Sequence, residues 1–589
     1  MTKQHVFLLP IVPMASLMFL AGCGGGGGGG GSDTPNNPTP NRAPVVANGV
    51  TDKTVVEKHP VDFDATQGGT TFSDPDHDPL TYQITTLHSE GNTNAPGLPS
   101  GLRVEGTHIV GASDGPGIAY IHIEASDNQG HTTPLEFQIN IERNSNPHID
   151  VPPPDMVVNA GQALNFDAAM NDATFKDADV DTLTYQVTFR GASGLTATGR
   201  QVQGSLSGVG AVEVTVTASD PYGGSASDVF LVAVAAPEPG APSLPATPYA
   251  YTDDSLPLIW AYKQTSHLGE ELDNATTEAG AALGRLLYYD KRLSITNTLS
   301  CGSCHQQAHG FASPNRFDTG VLGITLTRNT MGLANVRFTR AQAWFWDMRS
   351  YPSLRGAARE EIENANIMGQ QLGAAAVKLR ATSLYPPLFQ AAFGNDTINE
   401  DRILRALGQY LQSLISYRTR YDDACMAMDN TPKPCGAPFT AQELRGNKMF
   451  LGTFGSPGFG CAGFCHDNQT FNNDWQADIG LDLAYTDPGI TAQAFRRGAQ
   501  GAFHSASLRN LALTPPYMHD GRFTTLREVI DHFDHGIQNS PNLDFQLLNG
   551  GVPKQMNLTE AEKDDLEAFL NTLTDDAMVS DPKFADPFP

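Results

Sequence analysis

Short segments in which apolar and polar residues alternate fill residues 44–236 of the chain. Ile118–Glu124 and Val212–Thr217 are two of them, and clusters of Gly, Pro, Asn and Asp separate one segment from the next. A period of two with such punctuation predicts half-buried β-strands. The region also repeats, because residues 72–84 and 175–187 share the pattern Phe-x-Asp-x-Asp-x-Asp-x-Leu-Thr-Tyr-Gln.

The repeat predicts two β-sandwiches, residues 44–145 and 146–236. A unit of about a hundred residues built from such strands has the size of an Ig-like domain, and the units resemble the cadherin-like and Ig-like modules of bacterial surface proteins. Each unit carries three aspartates at alternate positions of one turn: Asp74, Asp76, Asp78 and Asp177, Asp179, Asp181. Converging carboxylates suit Ca²⁺, whereas a solvated turn explains the same residues without an ion.

Helical spacing begins after a Pro-rich stretch, residues 237–252, which we interpret as a hinge. Apolar residues recur every three or four positions in three later segments: Glu278–Tyr289, Ile403–Tyr417 and Thr559–Leu573. This spacing predicts amphipathic helices. The expected fold is therefore multidomain, with an all-β half followed by an all-α half.

The first residues have the pattern of an export signal. Lys3 precedes the apolar stretch Val6–Leu20, which is short for a membrane span and is interrupted by two prolines. The following Leu-Ala-Gly-Cys23 resembles the lipobox of bacterial lipoproteins; the alternative is an ordinary signal with a chance cysteine. Residues 24–43, rich in Gly, Pro and Asn, suit a flexible tether. We expect a signal peptide over 1–23, lipid on Cys23, and a membrane-anchored location in the cell envelope, on the periplasmic or outer-membrane face.

Charge and cysteine usage narrow the function. The formal net charge of −27 argues against a nucleic-acid partner, because binding phosphates needs clustered Lys and Arg.

Cys425 and Cys435 lie close together in a polar loop, where an oxidising compartment favours a disulfide. Apart from these and Cys23, the remaining cysteines all lie beside histidines.

Two of those cysteines form Cys301-Gly-Ser-Cys304-His305, the c-type haem attachment motif. One helical turn holds both thiols for thioether formation and points the imidazole at the iron. A redox Cys-x-x-Cys would need a βαβ setting, which the surrounding pattern lacks.

The other two form Cys461-Ala-Gly-Phe-Cys465-His466, a similar motif with one extra residue between the thiols. A second haem and a Cys461–Cys465 disulfide beside an unrelated His are both consistent with this spacing. We predict the haem, and hence two covalently bound c-type haems.

Between about Gly280 and Asp575 the chain resembles the bacterial dihaem cytochrome c peroxidase/MauG family. The matching segments are Leu283–Leu293, Phe345–Arg349, Ala406–Tyr410, Arg420–Asp422, Leu508–Gly521 and Thr525–Val529. The resemblance implies two all-α, cytochrome c-like domains: residues 253–440 with a peroxidatic haem, and residues 441–580 with a haem that receives electrons.

The resemblance also implies roles for single residues. Trp346 corresponds to the tryptophan that relays electrons between the two haems. Asn329, Thr514 and Pro516 match the positions that bind a structural Ca²⁺ between the domains.

The chain departs from the family at the first haem. Family peroxidases have a Gln and a Glu over its open face, where cleavage of peroxide needs an acid or base, and Ala357 and Ile367 stand in their places. Three nearby acids could substitute: Glu360, Glu361 and Glu363. We name Glu360 as the candidate, and a solvated acidic face is the alternative for all three.

At the second haem, relatives have a Met or Tyr as the distal ligand. Phe533 occupies that position and cannot ligate iron. His532 and Met518 are the candidate replacements, with an exposed helical His and a packed core Met as the alternatives.

The expected function is a haem oxidoreductase acting on hydrogen peroxide. Its electrons would come from a small redox protein, a cytochrome c or a cupredoxin, or from a protein substrate oxidised as in MauG. The rival hypotheses are a dihaem electron carrier without peroxidase activity and a surface scaffold or adhesion protein.

Overall fold

The structure is a computed structural model of the chain. It describes residues 40–89, 98–252, 273–339, 344–349, 353–426, 434–452, 461–466, 471, 475–492 and 500–589. The predicted signal, Cys23 and almost all of the tether lie outside these residues. The chain divides into two compact units, residues 1–144 and 145–589.

The first unit is a β-sandwich. Its strands are β1 Val45–Val46, β2 Lys53–Val56, β3 Val61–Asp64, β4 Phe72–Ser73, β5 Thr81–Ser89, β6 Leu102–Glu105, β7 His108–Gly111, β8 Gly117–Ser126 and β9 Thr132–Glu142. A four-stranded sheet has the order β2-β9-β8-β5, and a three-stranded sheet has the order β3-β7-β6. Strand β8 buries every second residue, as its alternating sequence predicts.

The second unit begins with a sandwich of the same design. Its strands are β10 His148–Ile149, β11 Met156–Val158, β12 Leu164–Asp167, β13 Phe175–Lys176, β14 Thr184–Arg190, β15 Leu195–Thr198, β16 Gln201–Gly204, β17 Gly210–Ser219 and β18 Ser225–Val234. The strand orders β11-β18-β17-β14 and β12-β16-β15 repeat those of the first sandwich. Both sandwiches also have a parallel edge pair, β2 with β9 and β11 with β18. The sequence repeat is therefore a repeat of topology.

The second sandwich packs directly on the helical part of its unit. Leu231, on the outer face of β18, is buried in a cluster with Ile295, Val321 and Leu322 of the helical part. The Ala211 N–H donates to the Val321 carbonyl at 3.2 Å. This contact buries apolar surface from both sides, so the sandwich and the helical body form one unit.

The Pro-rich stretch 237–252 contacts the helical body. Glu238 forms an ion pair with Arg292, and the Ser243 N–H donates to the Pro587 carbonyl at 2.7 Å. Its role as a hinge stays a prediction.

The remainder of the second unit is mainly helical. Among the described residues the helices are α1 Glu278–Tyr289, α2 Cys301–Cys304, α3 Leu354–Glu363, α4 Leu372–Arg380, α5 Tyr385–Phe393, α6 Glu400–Ser413, α7 Arg420–Cys425, α8 Ala441–Leu451, α9 Cys461–Phe464, α10 Leu526–Asp531, α11 Glu560–Asn571 and α12 Asp576–Ser580. A π-helical turn, His532–Gly536, follows α10, and two short hairpins pair β19 Gln476–Ala477 with β20 Phe503–His504 and β21 Leu548–Asn549 with β22 Val552–Pro553.

The three predicted helices are present. Helix α1 has the predicted bounds, and Thr277 caps it by accepting from the Gly280 N–H. Helix α6 begins earlier than predicted, because Asn399 provides its N-cap. A capping box at Thr559 starts α11. No helix in the described part of the chain is long and apolar enough to cross a membrane.

Each half of the helical body contains one close helix pair. A Cβ on Gly284 of α1 would lie 1.9 Å from the Ala406 carbonyl oxygen of α6, and a Cβ on Gly446 of α8 would lie 1.9 Å from the Asp565 carbonyl oxygen of α11. Only glycine permits such contact between backbones. The two halves therefore pack two helices closely at a glycine in the same way, and each helix pair supports one of the cysteine motifs.

Candidate haem sites

The first motif forms the short helix α2. A Cβ on Gly302 would lie 2.3 Å from the Tyr289 ring, so the residue directly after Cys301 must be glycine. Cys301 and Cys304 are free thiols, and burial raises the pKa of each to about 12. The thiols are thus neutral and unbridged, as attachment to a haem requires.

His305 is held by the backbone of the loop that follows it. Its Nδ1 lies 3.0 Å from the Phe311 carbonyl oxygen and 2.9 Å from the Met331 carbonyl oxygen. A carbonyl can only accept, so Nδ1 carries the proton. An imidazole bound in this way uses Nε2 as its metal-binding atom, and the carbonyls fix its orientation. This is the arrangement that a proximal haem ligand needs.

The second motif repeats this construction. His466 Nδ1 lies 3.0 Å from the Phe471 carbonyl oxygen. Phe311 and Phe471 are both fully buried, and both have positive φ angles, 62° and 52°. Two unrelated loops thus adopt the same strained conformation to direct a carbonyl at the imidazole.

The thiols of the second motif are not joined. Cys461 and Cys465 are free, with burial raising their pKa values to about 12 and about 11, whereas Cys425 and Cys435 form a disulfide. The structure therefore lacks the Cys461–Cys465 disulfide that was the alternative to a haem.

A cavity of about 590 Å³ opens beside the second motif. It is lined by Cys461, Cys465 and His466 together with apolar side chains, among them Phe450, Phe533, Leu566 and Leu570. An apolar cavity of this volume with a few placed polar groups is typical of a cofactor site. The thiols, the imidazole and the apolar wall therefore fit a covalently attached haem.

Trp346 lies in the wall of the same cavity. Its indole N–H donates to the Asn329 carbonyl at 2.8 Å, and its own carbonyl accepts from the His504 N–H at 2.9 Å. The cavity wall continues past Trp346 to Met331, whose carbonyl holds His305. Trp346 is thus placed between the two motifs.

The predicted calcium residues also come together at this cavity. Asn329, Thr514 and Pro516 all line it. The Asn329 side-chain amide donates to the Asn315 carbonyl at 2.9 Å, which secures the loop. Calcium at this position stays a prediction.

The two candidates for the distal ligand of the second haem differ in position. Met518 lines the cavity, with a φ of 73°. His532 does not: it is buried and its Nε2 lies 2.9 Å from the Ile479 carbonyl oxygen. Of the two candidates, Met518 is therefore the one that lines this cavity, and the distal ligand stays a prediction.

Two buried histidines and a methionine that no sequence motif indicated also line this cavity: His504, His519 and Met556. His519 stacks on Phe503 with ring centroids 3.6 Å apart, and burial lowers its pKa. His519 falls inside the matching segment Leu508–Gly521. Its position in that segment was the sequence feature that could have identified it as a site residue.

The three acids of α3 differ in their contacts. Glu360 Oε1 lies 3.2 Å from Arg349 Nη1, and Glu363 Oε1 lies 2.9 Å from Arg359 Nη1. Glu361 is instead half-buried, and desolvation raises its pKa to about 7. Glu360 as the acid or base stays a prediction, and its ion pair distinguishes it from Glu361.

The three aspartates in the turn of each sandwich make different contacts. Asp76 Oδ2 accepts from the Arg42 N–H at 2.7 Å, and Asp179 Oδ2 accepts from the Ser145 N–H at 2.6 Å, so the middle acid of each turn binds the backbone that enters its own sandwich. In the second sandwich, ligand atoms of Asp177, Asp181 and Asp220 lie within 4.8 Å of one another. The ion predicted there remains a prediction, with at most two of the three original acids available to it.

Comparisons with known proteins identify the family to which the helical part is similar. The family model for di-haem cytochrome c peroxidase matches residues 278–430. The methylamine utilization protein MauG of Methylorubrum extorquens is 30% identical over 336 residues, which are 56% of this chain and 87% of that protein. Cytochrome c551 peroxidase of Nitrosomonas europaea is 27% identical over 300 residues, 50% of this chain and 80% of that protein.

Among solved structures, a MauG-like protein associated with microbial copper homeostasis is 30% identical, with a TM-score of 0.46 and coverage of 54% of this chain and 95% of that chain. The fold and the paired motifs define a dihaem c-type cytochrome. The chain belongs to the dihaem cytochrome c peroxidase/MauG family. It is a peroxidase-type haem oxidoreductase with haem as its cofactor.

Proposed function

We propose that this protein reduces hydrogen peroxide at the haem held by His305, with electrons that a small redox protein delivers to the haem held by His466. The observation that carries the proposal is the pair of imidazoles, each anchored through Nδ1 to a backbone carbonyl, with Trp346 between them. When bound, the two haems supply the iron that binds peroxide and the electrons that reduce it.

The segment beside the first site offers no side chain of the kind that ligates haem iron. The segment Val321–Arg328, where some relatives carry a distal histidine, has neither His nor Met. Val321 and Leu322 are buried against the second sandwich, which holds the segment in place. This supports an accessible sixth position at that haem, as peroxide binding requires.

The domain assignment and the anchor belong to the same proposal. Residues 253–440 form the peroxidatic domain and residues 441–580 the electron-receiving domain, following two sandwiches. Lipid on Cys23 holds the protein at the envelope, where a cytochrome c or a cupredoxin reaches it.

Optical and EPR spectra of the purified, haem-loaded protein test the proposal. We expect two haems, one of them high-spin, and a spectral change at that haem when peroxide is added. Reduced cytochrome c and peroxide together should then be consumed in a ratio of two to one, because H₂O₂ takes two electrons and two protons to give two waters. Two six-coordinate haems and no reaction with peroxide would contradict the proposal.

A dihaem electron carrier is the second candidate. Ala357, which replaces the family's glutamine, is buried in the first half of α3 and offers no polar atom on its side chain. An electron carrier would exchange electrons with cytochrome c at an unchanged rate whether peroxide is present or not.

A further inference from the structure

Glu361 differs from the two acids beside it on α3. Glu360 is paired with Arg349, and Glu363 with Arg359. In the part of the chain that the structure describes, the Glu361 carboxyl makes neither a hydrogen bond nor an ion pair. A carboxyl that is partly withdrawn from water without a partner is unfavourable for folding, and a strongly raised pKa makes such a group a candidate for function.

The position of Glu361 on the helix places it on the inner face of α3. It follows Ala357 by four residues and Leu354 by seven, so the three residues share one face of α3. Leu354 and Ala357 are buried, and this face is therefore the inner one. Glu360 lies further round the helix, towards Arg349.

The electrostatic contacts of Glu361 identify what it faces. Its carboxylate contributes to the raised pKa values of both Cys301 and Cys304, after the larger effect of burial. The charged groups that act on Glu361 itself are Arg349, which lowers its pKa, and Glu360, which raises it. Burial outweighs both, and the carboxyl has a pKa of about 7. The group thus lies near the thiols that attach the haem, and it titrates in the range where a proton is both taken and returned.

We propose that Glu361 is the acid/base of peroxide cleavage at the first haem, in place of the polar groups missing at Ala357 and Ile367. The role rests on the proposed peroxidase function. Glu361 takes the proton from the peroxide oxygen nearer the haem and passes it to the far oxygen. The O–O bond breaks, and the far oxygen leaves as water with the two electrons of that bond. The two electrons and two protons of the complete turnover are those of the peroxidase reaction proposed above.

The test compares single variants and one double variant of the haem-loaded full chain. We expect Glu361→Gln to slow the reaction with peroxide by about 100-fold to 10,000-fold, the usual contribution of a general acid or base. Glu363→Gln, which alters a paired acid of the same helix, should react at the wild-type rate. In the double variant, Ile367→Glu should restore most of the rate lost through Glu361→Gln.

Infrared difference spectra give a readout besides activity. A buried neutral carboxyl should disappear between about pH 6 and pH 8 in the wild type, and this signal should be absent from Glu361→Gln. Unchanged haem spectra and melting temperature would show that the variants fold.

Three results would overturn the proposal. Glu361→Gln could react as fast as the wild type, Glu360→Gln could be the slow variant instead, or the infrared signal could persist in Glu361→Gln. In each case the wild type still reacts, and the peroxidase function stands. If the wild-type protein does not react with peroxide, both the proposed peroxidase function and the proposed role of Glu361 are wrong.

Discussion

The indole N–H of Trp346 donates to the backbone carbonyl of Asn329 at 2.8 Å. The Asn329 N–H in turn donates to the His519 carbonyl at 2.7 Å, so the ring is tied to a loop that both halves of the helical body share. Arg328 strengthens this connection by binding Asp347, the residue after the tryptophan, at 2.9 Å. A large aromatic ring fixed between two redox sites is well placed to pass electrons between them.

Trp346→Phe tests this role. The variant keeps a ring but loses the N–H and part of the π-system, and we expect electron transfer between the haems to slow by at least about tenfold, or about 1.4 kcal/mol on the barrier. Stopped-flow spectroscopy of the half-reduced protein measures the rate. Trp344→Phe is the matched control, because the Trp344 indole donates to the Val336 carbonyl instead. Equal rates in both variants would exclude Trp346 as the relay.

The second cysteine motif makes a prediction about covalent attachment. We expect the denatured full-length protein to carry the mass of two haems. Cys461→Ala with Cys465→Ala should lose one haem under denaturing conditions, because no thioether remains at that site. Mass spectrometry of the unfolded chain measures this. Two retained haems in the double variant would show that the second motif is not an attachment site.

The pH dependence of the reaction follows from Glu361. Its pKa is raised from the ordinary value to about 7 by burial, and only the carboxylate can take a proton from peroxide. The rate of the peroxide reaction should therefore rise with pH through about pH 7 and level off above it. Glu361→Gln should abolish this step in the pH–rate profile. A profile that is flat in the wild type would contradict the assignment.

The contact of the second sandwich with the helical body predicts a stability effect. Leu231→Asp places a charge in a buried apolar cluster, and we expect the free energy of unfolding of the second unit to fall by about 3 kcal/mol or more. Val229→Asp is the control, because Val229 lies on the same face of β18 but is 48% exposed. Denaturant titration followed by circular dichroism measures both. Similar losses would mean that the contact contributes little.

The disulfide between Cys425 and Cys435 closes a loop with a sequence separation of 10. Replacing both cysteines by serine should lower the free energy of unfolding by about 2 to 3 kcal/mol, since the unfolded chain regains the freedom that the short loop removes. Thermal unfolding of the variant and of the wild type, with and without reductant, measures this. A wild type whose stability is insensitive to reductant would contradict the prediction.

The sequence by itself determined the haem motifs, the repeat of strands and the bounds of α1. These features depend on residues within a few positions of one another. A haem motif needs thiols within one helical turn of an imidazole. Strands and helices need apolar residues that recur every two or nearly four positions, and a threonine cap marks the start of a helix. Neighbours along the chain remain neighbours in the fold, so their spacing is sufficient to predict them.

Only the tertiary structure decided which of the three α3 acids is unpaired, whether His532 or Met518 reaches the cavity, and that residues 237–252 contact the helical body. Arg349 and Arg359 pair with Glu360 and Glu363, and the Ile479 carbonyl, far from His532 in sequence, accepts a hydrogen bond from its ring N–H. Partners of this kind are set by the packing of distant segments, and burial then changes the pKa of the group that is left without one. The local sequence does not determine which distant segments come into contact.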